Sequence, residues 1–202
     1  MVFEKFKSVC NFTVAYKDSS WLMKLLGKLL FFNKAFMTDY ITTIGSTIYF
    51  PSTEWVANHS RSGLIEIVAH ELVHIRQAQN NQLKFSLLYL FPQILAILSV
   101  LCVLWWPALL FLLCLLPLPA YFRKQYEAEA YMVSLCVHKD YLEKKGLSQK
   151  EIEFKLQIKA QAINEQFTGS GYWYMWPFGV FDEVPEIACK AEYVDIREVA
   201  NG

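Results

Sequence analysis

The sequence predicts a mostly helical α+β domain with a hydrophobic helical hairpin inserted into it. Three observations predict this. Apolar residues recur at helical spacing from Leu64 to about Asn81 and again from about Leu118 to Lys145. A run rich in Thr and Ile, Ile41 to Phe50, has Gly45-Ser46 at its middle. The 38 residues from Phe85 to Phe122 contain no Asp, Glu, Lys, Arg or His. A chain of 202 residues has enough material for one core, so the expected organisation is a single domain over 1–202 with the hairpin 85–122 inserted.

Taken in order, Ser19 or Ser20 caps a helix in which Trp21, Leu22, Leu25, Leu26, Leu29 and Leu30 share helical spacing, with Lys24 and Lys28 on another face and Lys34 further on. That profile fits a helix lying in a membrane interface with its lysines snorkelling, and equally one docked on the core. Ile41 to Phe50 reads as a β-hairpin ended by Pro51, and Ser52-Thr53-Glu54-Trp55 as a turn. In the next helix Leu64, Ile67, Val68, Leu72 and Ile75 make a buried stripe, while His70, Glu71 and His74 look into a cleft. Gly146 stops the long helix that follows the apolar block, with Lys144 and Lys145 at its negative end. Ser148-Gln149-Lys150-Glu151 is a capping box for a helix over 149–166. Phe167 to Phe181 is irregular, glycine-rich and aromatic, and Asp182 opens a last helix over 184–199.

As one helix the apolar block would be about 57 Å long, nearly twice the roughly 30 Å thickness of a hydrocarbon core. Two passes turning at Trp105-Trp106-Pro107 fit better. Lys84 and Arg123-Lys124 bracket the block, so both ends of a hairpin face one side, and the positive-inside rule makes that side cytoplasmic. Pro92, Pro117 and Pro119 interrupt the run and keep two other arrangements open: a re-entrant hairpin, or a helical pair buried in a homo-oligomer or larger assembly.

The formal charge is zero and the pI about 6.9, which gives no footing for nucleic acid. Cys10, Cys102, Cys114, Cys136 and Cys189 are scattered, odd in number and without a CxxC pair, which argues against a disulfide scaffold and a cysteine zinc knuckle. The first twenty residues carry Glu4, Lys5, Lys7, Lys17 and Asp18 and show no cleavable signal peptide. The expected compartment is therefore a reducing one, or a membrane site facing it.

Residues 70–74 read His70-Glu71-Leu72-Val73-His74. Histidines at i and i+4 stack on one helix face and reach a single metal, and Glu71 can act on a water held there. A catalytic zinc takes three protein ligands and keeps one position for water. The residues after His74 (Arg76, Gln77, Ala78, Gln79, Asn80, Asn81) lack the Gly and His of the metzincin continuation, so that class is excluded. An acid on a following helix is the natural third ligand. Tyr126-Glu127-Ala128-Glu129-Ala130-Tyr131 offers two, about 200° apart around a helix, so that only one can face the metal.

HExxH followed by a helical acid beside small residues resembles the glutamate-type zincins, or gluzincins. Among them, membrane peptidases of the HtpX type separate HExxH from an E-x-x-A-D motif by a transmembrane hairpin. The resemblance covers about 65 residues. It implies a minimal zincin-like domain, with Glu127 as the ligand, Ala130 at the motif's Ala and Tyr131 where the motif has Asp. That departure means the support around the ligands must differ here. Glu129 is the competing acid.

The chemistry then expected is hydrolysis of a peptide bond in a peptide or protein substrate. Zn2+ on His70, His74 and Glu127 activates water, and Glu71 is the general base. Tyr172, Tyr174 and His138 are candidate oxyanion donors, with Tyr174 preferred for its place in the aromatic segment. The Tyr40–Pro51 hairpin suits β-augmentation of an extended substrate. The competing class is a non-enzymatic protein that inserts its hairpin in a lipid bilayer and keeps zinc for folding.

Overall fold

In the computed structural model, which describes residues 2–202 apart from 32, 34, 80, 117, 170–173 and 182–188, the chain opens with a short helix, α1 (Val2–Phe6), and a strand, β1 (Thr13–Tyr16). Ser20 caps α2 (Trp21–Leu29) through the Met23 N–H, and α3 (Ala35–Thr38) follows. Strands β2 (Thr42–Ile44) and β3 (Thr47–Phe50) form the expected antiparallel hairpin, with Gly45 at φ +60° in its turn. Strand β1, which the sequence reading did not foresee, pairs parallel with β3, so the sheet order is β1-β3-β2 and β2 lies at an edge. Ser52 also begins a helix and not a turn. Its hydroxyl accepts from the Trp55 N–H and caps α4 (Thr53–Asn58).

Helix α5 (Arg61–Gln79) carries the His-Glu-Leu-Val-His motif and packs against α1 and β2. It also meets α6 (Gln82–Tyr89), α7 (Tyr121–Lys144) and α9 (Val194–Asn201). This explains why the eight consecutive residues from Val68 to Ile75, polar and apolar alike, are buried. Val68, Leu72, Val73 and Ile75 join Ile48, Phe50 and Ile196 in one core, and His70, Glu71 and His74 are buried beside them. The three motif residues therefore lie inside the protein and not along an open cleft.

A second core forms where α7 meets α8 (Gln149–Thr168), with Leu135, Leu156, Ile163, Phe167 and Met175 buried together. The capping box is present: the Ser148 N–H donates to Glu151 at 2.9 Å. Helix α9 is shorter than expected. It follows a 3₁₀ turn at Ala191–Tyr193, while 182–188 lie outside the described residues. It is clamped to α7 by the two Arg197–Asp140 hydrogen bonds of 2.6 Å and to α5 by Arg76–Asp195.

The apolar block does not form two helices of spanning length. Two 3₁₀ segments, Gln93–Val103 and Trp106–Leu115, pack on each other. At about 2 Å per residue each reaches about 20 Å. Pro92 and Pro107 stand at their starts. Proline lacks an N–H and constrains the residue before it, so the run is cut into pieces shorter than a span. No single helix among the described residues is long and apolar enough to cross a membrane; α6 and the first 3₁₀ segment pass that test only together, bent by 84°.

Gly146, at φ +75°, ends α7 in the left-handed region with open space where a Cβ would stand. Gly146→Ala should therefore cost about 1–2 kcal/mol through backbone strain alone. A lower urea midpoint with unchanged metal affinity would check this.

Candidate metal centre

Helices α5 and α7 run antiparallel, and their facing residues pair in descending order. His74 and His70 meet Glu127, His70 also meets Tyr131, and Glu66 meets His138. Ala69 and Ala130, both fully buried, let the two helices approach closely. Three donor atoms converge as a result. His70 Nε2 and His74 Nε2 are 3.2 Å apart, and they lie 3.4 and 3.6 Å from one Glu127 oxygen, Oε2. Ligands 2.0–2.1 Å from a tetrahedral zinc are separated by about 3.3–3.4 Å. The donor set and its spacing therefore fit zinc, and all three residues are buried.

Glu129 is turned to the other side of α7. It pairs with Lys190, accepts from the Tyr193 hydroxyl at 3.3 Å and accepts from Gln77 Nε2 at 3.0 Å. The half-turn between 127 and 129 separates the two acids as the helical geometry requires.

Glu71 lies one residue from the first imidazole and faces the sheet. Its Oε2 accepts from the Thr43 hydroxyl at 2.6 Å, so the edge strand β2 orients the carboxylate. The buried Lys17 follows β1; its Nζ donates to the Phe36 carbonyl at 2.6 Å and lies 4.0 Å from the Phe36 ring centre. Burial lowers its pKa to about 8, partly offset by the negative charge of Glu71.

The hairpin's approach roofs the cluster. Phe85 and Tyr89 of α6 place their rings 6.4 and 6.0 Å from that of His74, and the Tyr89 hydroxyl donates to Glu127 Oε1, the oxygen that faces away from the imidazoles. Burial, and then the Glu127 charge, raises the Tyr89 pKa, so the phenol keeps its proton. Arg123, one turn before Glu127, has its guanidinium 5.0 Å from the Tyr89 ring centre. On the opposite flank Tyr131 meets His70 edge-on at 4.5 Å and donates to Gln166 of α8 at 2.7 Å. An aromatic wall anchored on a neighbouring helix thus stands at position 131.

Other sequence candidates lie elsewhere. His138 bonds Glu66 at 2.6 Å, and Lys159 pairs with the same acid. His59 stacks on Trp55 with ring centres 3.6 Å apart. Tyr172 is outside the described residues. Tyr174, at φ +52° in a turn after α8, is half exposed, and its phenol makes no hydrogen bond or ring contact with the cluster. Tyr89, Gln77 and Thr43 touch the site but were not singled out by the sequence. Position 77 is one turn beyond His74 and so carried a signal; Thr43 and Tyr89 depend on tertiary packing. No known protein family, characterised protein or solved structure matches this chain.

Burial opposes a charged His74, but the Glu127 carboxylate beside it outweighs that and raises its pKa to about 9. Burial likewise works against the Glu127 charge, and the two imidazoles overcome it, holding the carboxyl well below its usual range. Without metal the pair behaves as imidazolium and carboxylate, and a metal must displace the His74 proton. Zinc affinity should therefore rise about tenfold per pH unit as pH climbs towards about 9, then level. Competition with a chromophoric chelator across that range would check it.

Proposed function

We propose that this chain is a membrane-associated zinc metallopeptidase of zincin-like fold. The observation that carries the reading is the convergence of two imidazoles and one carboxylate at the edge lengths of a zinc tetrahedron, with the Glu71 carboxylate on the neighbouring residue. Among the described residues the donor set has three members, which is the catalytic pattern; structural zinc sites close with four. Zinc, when bound, supplies Lewis-acid polarisation to a water and to the substrate carbonyl.

The chain's own residues do the rest. The Thr43 hydroxyl holds Glu71 through Oε2, leaving its other oxygen to take a proton from the attacking water and pass it to the leaving amide nitrogen. Strand β2 is an edge, and the strand that holds the base can also align an extended substrate by main-chain hydrogen bonds. A peptide laid along β2 runs past Glu71. Tyr89 commits its one hydroxyl hydrogen to Glu127 Oε1 and so holds the ligand carboxylate, while Tyr174, the oxyanion donor the sequence favours, stands half exposed in the turn after α8.

Membrane association is supported by the hairpin's surface. Val103, Leu104 and Trp106 are 86, 87 and 75% exposed at its tip, and Lys84 and Arg123-Lys124 stand at its base. On α2, Trp21, Leu25 and Leu29 form an exposed apolar stripe beside Lys24 and Lys28. Segments of about 20 Å favour insertion into the bilayer over a two-pass span, with the zinc site on the cytoplasmic side.

Glu71→Gln should keep zinc and lose at least about 100-fold in kcat on an unstructured protein substrate. Unchanged cleavage with zinc bound would remove Glu71 as the base. Leu104→Asp should abolish co-flotation with vesicles of phosphatidylcholine and phosphatidylglycerol. Flotation equal to the wild type would dismiss the hairpin as the membrane contact.

A further inference from the structure

We propose that Glu129, the acid turned away from the imidazoles, acts on the site through Gln77, and that together they fix His74 in the tautomer carrying its proton on Nδ1. The inference rests on the reading of His74 as a metal ligand, and it assigns Gln77 and Glu129 as positioning residues.

Gln77 follows His74 by one turn on α5, and its side-chain amide has three neighbours. At one end lie the Tyr126 carbonyl oxygen, 3.1 Å from Nε2, and Glu129 Oε2, 3.0 Å from Nε2. Both are acceptors, so the NH2 group must be the end that faces them. Rotating the amide by half a turn would set its carbonyl oxygen against two acceptor oxygens and lose both bonds. Its Oε1 therefore faces His74 Nδ1, at 2.9 Å. An amide oxygen can only accept, so Nδ1 must carry a hydrogen. In a neutral ring the lone pair is then on Nε2, the atom beside His70 Nε2 and Glu127 Oε2. Of the two tautomers this is the one that can ligate from that position.

Glu129 contributes because the Tyr126 carbonyl alone offers Nε2 a single acceptor. Its own orientation is held from outside the helix pair, by Lys190 Nζ and the Tyr193 hydroxyl. The segment that leads into α9 thus reaches the imidazole through two side chains. The same side chains, with Tyr126 and Arg76, line a cavity of about 320 Å³, so the relay borders open volume and not packed core. Two acids two residues apart consequently have different tasks. One points its carboxylate at the imidazoles, and the other sets which nitrogen of His74 is free.

Two measurements test this. The first is the ¹⁵N imidazole spectrum of His74 in metal-free protein, taken at the pH where its own titration leaves the ring neutral. The proton is expected on Nδ1. A proton on Nε2 in the wild type would overturn the proposal without any variant being needed. The second is zinc affinity in Gln77→Leu, Glu129→Leu and Glu129→Gln. The two leucine variants should bind zinc about 10–100-fold more weakly and show mixed tautomers. Glu129→Gln keeps an oxygen that accepts from Gln77, and should stay near the wild type in both readouts. A folded Gln77→Leu protein with wild-type affinity and tautomer would overturn the proposal. Wild-type protein that binds no zinc would instead overturn the metallopeptidase reading, and the His74 spectrum would still decide the tautomer.

Discussion

Antiparallel packing of α5 on α7 is the interaction on which the other features depend. Ala69 of α5 and Ala130 of α7 are fully buried in the core the two helices share, and side chains this small leave room for close approach. At that separation the i, i+4 spacing of Glu66, His70 and His74 faces Glu127, Tyr131 and His138 in reverse order. The seam is polar along its length, yet it lies between two hydrophobic cores. Burying such groups is unfavourable unless each is partnered, and here each one is. Glu127 is met by two imidazoles and the Tyr89 hydroxyl, Glu71 by Thr43, His74 by Gln77, and Glu66 by His138 and Lys159.

That partnering also defines how the parts of the chain communicate. The sheet reaches the site through Thr43, the hydrophobic hairpin through Tyr89 at the end of α6, and the C-terminal segment through Lys190, Glu129 and Gln77. Each contact holds one group of the cluster by a single hydrogen bond. The hairpin thus bears directly on Glu127, and the segment before α9 on Glu129.

Much of the fold was legible because its signals are local. The helix bearing HExxH, the β2–β3 turn at Gly45, the stop at Gly146 and the Ser148 capping box are each set by a few adjacent residues. The His pair was legible for the same reason. The misses depend on distance along the chain. Strand β1 is four residues long and exists by pairing with β3, more than thirty positions later. Periodicity said that only one of Glu127 and Glu129 could face the imidazoles, but not which; the imidazoles beside Glu127 and the Lys190 and Tyr193 contacts to Glu129 decide that. Hydropathy gave the apolar block its boundaries but not its form, since Pro92 and Pro107 divide it into short 3₁₀ segments. Ser52 suits a turn and a cap equally by sequence, and the Trp55 N–H it accepts from makes it a cap.

The central claim is a zinc ion held by two imidazoles and one carboxylate. X-ray absorption at the zinc edge, on protein loaded with one equivalent, tests it most directly. The account predicts four nitrogen or oxygen neighbours at about 2.0–2.1 Å, two of them with the outer-shell signature of imidazole. A sulfur neighbour at about 2.3 Å, which any of the five cysteines could supply, would contradict it, as would protein that retains no stoichiometric zinc.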